Sequence, residues 1–419
     1  MPRDEKEKMN QAATDFPLAD EERLQIENPR LENLYNYLSN AAINSYSDPL
    51  LLSNAVLSKS DLPLDPLNNY LEEKDYEPIS FLFSLKKLLL YFAKSIGWLV
   101  IFLTQSLAHK LSRQKFNSDP KKPLTLIDIH LTPEQIIQKG DLIDRFFPGL
   151  EKKLTSKGII FAYAPKLFGA SNPLMYYKMF CLLRDLKRPV LSSLQLLNLS
   201  DYFKMFGFIL AYPFRVLRKI RRLMSSPEDK LLRFFLWDTM DHATVKNYAR
   251  QLFGKQISKM DVPALKCISW YENQPQDKNF YKGIRSTHKN VQIYGAQLYV
   301  WPATLLNLHA DERENDFDLI PDHILVNGTY YLNKNSSLKF EIGPSMRYFR
   351  LFQTTVDVKG KTSLLVLMPF FEYEIDKILQ MIDEAQLSIE LFVKFHPATD
   401  SNKYAHRMKG KMKIVDDDI

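Results

Sequence analysis

The segment LTLIDIH, residues 124–130, decides how this chain is expected to fold. It is a short apolar run that follows the breaker-rich segment 119–123, and such a run predicts a buried strand. Similar runs recur at GIIFAYAP (158–165), RPVLSSLQ (188–195), VPALKCISWYENQ (262–274), VQIYGAQLY (291–299) and DHILVNG (322–328). Helical segments separate these runs, which predicts βαβ units and a parallel sheet covered on both faces.

The carboxyl-terminal segment predicts the beginning of a second unit of the same kind. Strand-like runs at 363–370, 388–397 and 412–419 flank an amphipathic helix at 374–386. Because so few strands cannot close a sheet with two buried faces, the polypeptide is expected to extend beyond Ile419. The competing interpretation is that these runs add edge strands to the preceding sheet.

Composition limits the classes of protein to consider. The 419 residues are 45% apolar and 25% charged, as in an average globular protein, which excludes collagen-like, coiled-coil and wholly disordered chains. Only Cys181 and Cys267 are present, so neither a disulfide framework nor a cysteine-based zinc site is expected. The net charge of +7 permits an anionic partner such as a nucleotide, a lipid headgroup or nucleic acid.

Residues 1–120 predict a mainly helical amino-terminal arm, with disorder as the alternative for the stretch to about residue 78. Its first 35 residues are rich in charge, so a cleaved signal peptide is not expected. An apolar helix is predicted at 79–110, and its longest uncharged run has 15 residues, fewer than the roughly 20 that a spanning helix needs. Packing on a domain, anchoring in a membrane interface and a true span all remain open for this helix.

A helical insertion is predicted at 200–255, and Pro213 is expected to break or kink it. After the proline, an apolar stripe runs from Phe214 to Met224. The cations beside it are Arg215, Arg218, Lys219, Arg221 and Arg222. A basic amphipathic helix of this kind predicts contact with an anionic membrane surface, although a solvated helix face has the same pattern. No sequence motif of a nucleic-acid-binding domain accompanies it.

Polar residues directly follow the strand predicted at 262–274. Ligands of parallel α/β sheets bind outside the carboxyl ends of the strands, so this block is a candidate site. Glu272 and Asp277 are candidate bases for an acceptor hydroxyl. The candidate phosphate or nucleotide contacts are Asn273, Gln274, Lys278 and Arg285, with Gln297 at the end of the next strand. The structural alternative is a polar turn that caps a helix.

A second candidate, His396-Pro397, also ends a predicted strand. The proline disfavours a helical backbone at the histidine, so an extended exit is expected there. The imidazole of His396 is then a candidate hydrogen-bond donor to a nucleotide phosphate. Asp416-Asp417-Asp418 is interpreted as the end of a strand, and no metal site is predicted.

Together these residues resemble bacterial GT-B glycosyltransferases that build surface carbohydrates, with a more distant likeness to Kdo-transferases, sialyltransferases and teichoic-acid glycerophosphotransferases. The motifs that carry the resemblance are Asp144-Arg145-Phe146-Phe147, Glu272-Asn273-Gln274 with Asp277-Lys278, Gly283-Ile284-Arg285, Tyr294-Gly295-Ala296-Gln297, residues 321–328 and Lys394-Phe395-His396-Pro397. It implies an acceptor domain at 121–340 and a partial nucleotide-sugar domain at 341–419, both Rossmann-like, with the active site between them.

The resemblance implies a glycosyltransferase without a resident cofactor, and because no DxD motif stands in a predicted loop, no metal requirement is expected. A nucleotide sugar is the implied donor, and a lipid-linked glycan of lipopolysaccharide or capsule synthesis is the implied acceptor, at the inner face of the cytoplasmic membrane. His396 would contact the donor phosphate, and Glu272 or Asp277 would be the base. Two alternatives stay open: a sugar-nucleotide epimerase of the same architecture, and a non-catalytic membrane-associated assembly protein.

Overall fold

The computed structural model divides the chain into two compact units, Met1–Phe349 and Arg350–Ile419. The residues that it describes are 26–60, 62, 64–74, 79–169, 172–288, 290–302, 304–333, 336–348, 363–369, 372–385, 387, 389–395, 399–407 and 412–415. Within this part of the chain, the predicted α/β class with parallel sheets is confirmed.

A six-stranded parallel sheet forms the centre of the first unit, in the order β3-β1-β5-β6-β7-β8. Its strands are β1 (Leu124–Asp128), β3 (Phe161–Tyr163), β5 (Leu265–Trp270), β6 (Val291–Ala296), β7 (His323–Val326) and β8 (Phe340–Ile342). All five residues of β1 are buried, as the apolar run predicts. A separate parallel pair consists of β2 (His130–Leu131) and β4 (Lys166–Leu167).

Helices surround this sheet and supply most of the core of the first unit. They are α1 (Pro29–Ile43), α2 (Leu64–Leu71), α3 (Phe81–Ser112), α4 (Pro133–Lys139), α5 (Leu150–Ser156), α6 (Pro173–Asp185), α7 (Ser193–Leu196), α8 (Leu199–Ile220), α9 (Pro227–Asp238), α10 (Ala243–Ile257) and α11 (Pro275–Arg285). Short 3-10 helices lie at Leu51–Ser53, Val56–Ser58, Leu306–Leu308, Glu312–Phe317, Thr329–Tyr331 and Met346–Tyr348. Buried residues of α1 and α3 belong to the same hydrophobic core as buried residues of β1.

One strand predicted in the first unit is wrong, and the predicted helix break at Pro213 is absent. The run at 188–195 does not form a strand: Val190 makes only an isolated bridge to Tyr163. Ser192 then ends the extended segment, because its side chain accepts a hydrogen bond from the Leu194 amide and caps α7. Helix α8 is not broken at Pro213 but continues to Ile220, with Tyr212, Pro213 and Val216 buried on its inner face.

Helix α3 begins at Ser80, whose side chain accepts a hydrogen bond from the amide of Phe83 at 3.1 Å. It is 32 residues long, and one face packs on the protein through Tyr91, Leu99 and Phe102. The other face exposes an apolar stripe: Leu82, Leu85, Leu89, Ile96, Val100, Leu103, Leu107 and Leu111. By length and composition alone this helix could cross a membrane, which is weak support because a soluble core helix passes the same test.

The second unit contains a parallel three-stranded sheet in the order β11-β10-β9, distinct from the six-stranded sheet. Its elements are β9 (Ser363–Leu367), α12 (Glu372–Ala385), β10 (Glu390–Lys394), a 3-10 helix (Ser401–Arg407) and β11 (Met412–Ile414). Buried side chains of α12, β10 and the 3-10 helix make a small core of their own. Among the described strands, none of β9, β10 and β11 adds to the edge of the first sheet.

Candidate functional site

A buried network of charges lies at the carboxyl end of β1. Asp128, the last residue of that strand, has its Oδ2 atom 3.7 Å from Lys166 Nζ and its Oδ1 atom 3.0 Å from Arg250 Nη2. Lys166 Nζ also lies 2.6 Å from Asp277 Oδ1. The hydroxyl of Ser269, opposite Asp128 in the sheet register, donates to Asp128 Oδ2 at 3.0 Å. The network therefore ties two strands to the helices α10 and α11.

Two glycines let α10 and α11 approach closely enough to build this network. A Cβ atom on Gly283 would lie 2.4 Å from the carbonyl oxygen of Gln251, and one on Gly254 would lie 2.7 Å from that of Phe280. The close crossing brings the Arg250 guanidinium to 3.8 Å from the centroid of the Phe280 ring, a cation–π contact. Gly283 was singled out in the sequence, and its role in the structure is this contact.

The network shifts the pKa values of Lys166 and the neighbouring His130. Burial alone would lower the pKa of Lys166, but the charges of Asp128 and Asp277 outweigh burial and raise it. His130 shows the opposite effect: burial, followed by the charges of Lys166 and Arg250, lowers its pKa to about 2. Lys166 is therefore an ammonium at neutral pH, and His130 is a neutral ring packed against Phe168 and Trp270.

A cavity of about 770 Å³ opens beside this network. Its walls come from α3, α10, the segment 165–169 and the start of α11 at 274–276. Four cationic residues line it, namely Lys94, Lys166, Lys246 and Arg250, and none of the described lining residues is acidic. Three of these cations are paired behind the lining, Lys166 and Arg250 with Asp128 and Lys94 with Asp241, so the cavity is less positive than its lining alone indicates. Its place at the carboxyl edge of a parallel sheet, beside a helix amino terminus, suits an anionic ligand.

Glu272 and Asp277, the two predicted bases, have different environments. Glu272 is half-buried, and its Oε2 atom accepts a hydrogen bond of 2.6 Å from Gln274 Nε2. Asp277 is buried, and its Oδ2 atom accepts the amides of Glu272 and Gln274 while its Oδ1 atom binds Lys166. The helix cap that was the structural alternative is therefore present, and Asp277 provides it. Gln274 itself lines the cavity.

Lys278, a candidate phosphate contact, is not accessible to a ligand in the structure. Its side chain is fully buried, and Nζ lies 2.7 Å from Glu314 Oε1. Burial lowers the pKa of Lys278 to about 8, because the attraction of Glu314 only partly offsets it. Asn273, with a left-handed backbone at φ 53°, donates to the carbonyl of Asn307 at 2.8 Å and to Glu314 Oε2 at 3.3 Å. Both side chains are thus engaged in a buried polar cluster.

Arg285 and Gln297 also lie apart from the cationic cavity. Arg285 lies two turns after Lys278 on α11. Its Nη1 atom donates to the carbonyls of Asp318 and Ile320, and its Nη2 atom lies 3.1 Å from Asp322 Oδ1. Gln297 lines a second, mainly apolar cavity of about 320 Å³, and its Oε1 atom accepts the amide of Asn327. Gln297, a candidate nucleotide contact, therefore lies in a different cavity from Gln274.

The remaining predicted residues divide into two groups. His396 and Pro397 lie outside the described residues. The cations beside α8 are mostly at the surface: Arg215, Arg218, Arg221 and Arg222 are exposed, and Lys219 is half-buried. Lys219 donates to the carbonyl of Ala41 at 3.2 Å, so it also fastens α8 to α1.

Sequence reasoning missed Asp128, Lys166 and Arg250. Asp128 had a usable signal, because it is the polar residue that ends the apolar run of β1. Lys166 and Arg250 gave none, since their partners are distant in the chain and no motif contains them. In the described part of the chain, no group of three or more His, Cys, Asp or Glu side chains could hold a metal ion.

Comparisons with known proteins give little further information. No family model and no curated protein matches this chain. Among solved structures, a crystal structure of MurG from Acinetobacter baumannii is similar at 12% identity, covering 70% of this chain and 67% of that one, with a TM-score of 0.31. A likeness at that score carries no argument about the site.

Proposed function

We propose that this protein is a GT-B-type glycosyltransferase that moves a sugar from a nucleotide-sugar donor to a precursor of a surface polysaccharide or lipopolysaccharide. The observation that supports it most is the cationic cavity at the carboxyl edge of the parallel sheet, with the Glu272–Asp277 block at its border. Sugar transfer from a nucleotide needs cations near the leaving phosphate and one carboxylate near the acceptor hydroxyl.

The geometry favours Glu272 as the base. Its carboxylate is half-buried and accepts a hydrogen bond from the side-chain amide of Gln274, so it is the more accessible of the two carboxylates. Asp277 has both oxygens engaged by Lys166 and by backbone amides, so it is proposed to position Glu272 through the backbone. His396 keeps its predicted role as a donor to the nucleotide phosphate. In this metal-independent mechanism, protein cations stabilise the phosphate that leaves.

We further propose that the enzyme works at the inner face of the cytoplasmic membrane. Helix α8, which packs on α3, exposes a second apolar stripe at helical spacing. Its members are Leu199, Phe203, Phe206, Leu210 and Phe214. The stripe adjoins the exposed arginines Arg215, Arg218, Arg221 and Arg222. Apolar stripes beside cations suit an interface with anionic lipid, where each cation contributes about 1 kcal/mol.

The test begins with thermal shifts of the full chain against CMP, UDP, GDP and CDP, because a ligand that binds only the folded state raises the melting temperature. Transfer is then assayed with the sugar nucleotide of the base that binds and a lipid-linked acceptor extract. Sugar incorporation that is lost in Glu272→Gln supports the proposal. Conversion of the nucleotide sugar without acceptor would indicate an epimerase, and the absence of all nucleotide binding would indicate a non-catalytic protein.

A further inference from the structure

We infer that the mainly apolar cavity of about 320 Å³ on one face of the six-stranded sheet binds a medium-chain carboxylate, with the carboxylate at Lys266 and the hydrocarbon chain along β5 and β6. This cavity shares no lining residue with the larger one of about 770 Å³, so the inference does not rest on the proposed function. Three features carry it: an uncovered strip of the sheet, apolar walls of suitable length, and one cation without a partner.

The two faces of the sheet differ over β5 and β6. On one face, Cys267 and Ile293 are fully buried in a core that includes Phe280 of α11. Side chains alternate between faces along a strand, so Lys266 and its register partner Gln292 point to the other face, where both are exposed. Parallel sheets normally have both faces covered. The uncovered strip is therefore a place where a ligand can be buried.

Apolar side chains form most of the cavity wall above this strip. Helix α5 and the residues next to it supply one side, the segment 343–346 supplies the other, and the sheet is the floor. The apolar members are Phe147, Leu150, Leu154, Ile159, Ile268, Ala296, Leu298, Leu325, Pro344 and Met346. The volume lies within the range of about 300–1,000 Å³ that is usual for small-molecule sites.

The floor sets the length of the ligand. Lys266 lies in register with Gln292, and Ala296 at the end of β6 comes four residues later, which is about 13 Å at about 3.3 Å per residue. Three bonds of an extended chain advance about 3.3–3.6 Å, so about ten carbon atoms in a row match this length. A chain of this size begins at Lys266 and ends where β6 ends.

Lys266 supplies the charge that selects the head of the ligand. It is the only charged residue among the described lining residues, and in that part of the chain its Nζ atom has no hydrogen-bond or ion-pair partner. At the opposite end, Gln297 accepts the amide of Asn327 and donates to the carbonyl of Tyr299, both at 2.8 Å, and the Ser345 hydroxyl donates to Asn327 Oδ1 at 3.0 Å. The polar groups there already have partners, so one anionic head on an apolar chain fits the lining.

Ile268 allows the cavity to be blocked from its floor, because it is half-buried in β5 and lines the cavity. We expect Ile268→Trp to fill the space that the chain needs, and Leu325→Trp to do the same from β7 if the first variant does not fold. Gln292→Trp is the matched control, since it is exposed on the same face and does not line the cavity. Lys266→Met removes the charge and keeps the apolar stem, with the exposed Lys339→Met beside β8 as its control.

The experiment measures binding of decanoate to the full chain by calorimetry and thermal shift. Decylamine has the opposite charge on the same chain, and hexanoate has the same head on a shorter chain. We expect one decanoate to bind per chain, at least about tenfold more tightly than either. Lys266→Met should weaken decanoate binding about tenfold, and the tryptophan variants at Ile268 and Leu325 should abolish it. Gln292→Trp and Lys339→Met should keep it.

Four outcomes would overturn the inference. They are no binding of decanoate, equal binding of decylamine, equal binding of hexanoate, and decanoate binding that persists in both Ile268→Trp and Leu325→Trp. The last outcome would place the ligand elsewhere, for example on the exposed apolar stripe of α3. Because no nucleotide and no sugar enters these measurements, failure here leaves the proposed transferase activity standing, and failure of sugar transfer leaves the carboxylate site standing.

Discussion

Lys166 Nζ lies 2.6 Å from Asp277 Oδ1, with both side chains buried at the carboxyl edge of the sheet. The two residues are 111 positions apart in the chain. Through its other oxygen, Asp277 accepts the amides of Glu272 and Gln274. One ion pair therefore fixes both the first turn of α11 and the backbone that presents the proposed base.

This arrangement separates the two candidate carboxylates experimentally. Asp277→Asn leaves the Lys166 ammonium with only the more distant Asp128, so we expect a loss of about 3 kcal/mol in the free energy of unfolding. Glu272→Gln keeps the hydrogen-bonding shape at a half-buried site, and its stability should change by less than about 0.5 kcal/mol while transfer is lost. Urea unfolding and a transfer assay measure the two effects.

The exposed Glu32→Gln on α1 is the control for this pair and should alter neither quantity. Full transfer activity in both Glu272→Gln and Asp277→Asn would remove the block from the mechanism. Loss of activity in Asp277→Asn together with lost stability would fit a positioning role.

The pH dependence of stability should report on Glu314. Burial alone would raise the pKa of this carboxyl, but Lys278 and Lys59 outweigh it and lower the pKa from 4.5 to about 2. A lowered carboxyl pKa stabilises the fold above the ordinary value, and that stabilisation, about 3 kcal/mol, is lost as the pH falls through about 2. Glu314→Gln should be less stable than the parent at pH 7, and the gap should narrow below pH 4.5.

Thermal unfolding of both proteins between pH 2 and pH 8 measures this gap. Since other carboxyls titrate in both chains, the difference between them isolates Glu314. A gap that stays constant over this range would contradict the buried ion pairs with Lys278 and Lys59.

Local patterns predicted the scaffold better than the site. Apolar runs between breaker residues correctly predicted β1, β5 and β6, because a strand that is buried on both faces consists mostly of apolar residues. The run around Val190 is also apolar, but in the structure it makes only an isolated bridge, to Tyr163. Ser192 then caps the helix that follows. Asp277 was found because it belongs to the polar block that follows the carboxyl end of β5. Arg250 was not, because its partners come from distant strands and helices.

The crossing of α10 and α11 should be sensitive to one methyl group. Gly283→Ala would place a Cβ atom 2.4 Å from the backbone oxygen of Gln251, which cannot move without shifting α10. We expect a loss of about 1–3 kcal/mol in the free energy of unfolding. Gly97→Ala, with open space around it, should instead gain about 0.5–1 kcal/mol from helix propensity. A stable Gly283→Ala variant in urea would show that the helices can separate at little cost.

Membrane contact should depend on the exposed surface of α8 and the turn after it. Arg218→Glu combined with Arg222→Glu reverses two charges at exposed positions, so we expect at least a tenfold loss of binding to vesicles with anionic lipid. Phe214→Ser should weaken binding to neutral and anionic vesicles alike. Flotation at two salt concentrations measures both, with Lys230→Glu on α9 as the control. Equal binding of all variants would place the membrane contact elsewhere.

Lys59 and Tyr46 come from the amino-terminal arm, and both contact Glu314, which also holds Lys278 of α11. The ammonium of Lys59 is wholly enclosed in that contact. The arm consequently supplies counter-charge to the interior of the sheet-bearing unit. Deleting residues 1–120, or replacing them with an unrelated segment, would expose Glu314 to water. We expect the resulting protein to be insoluble.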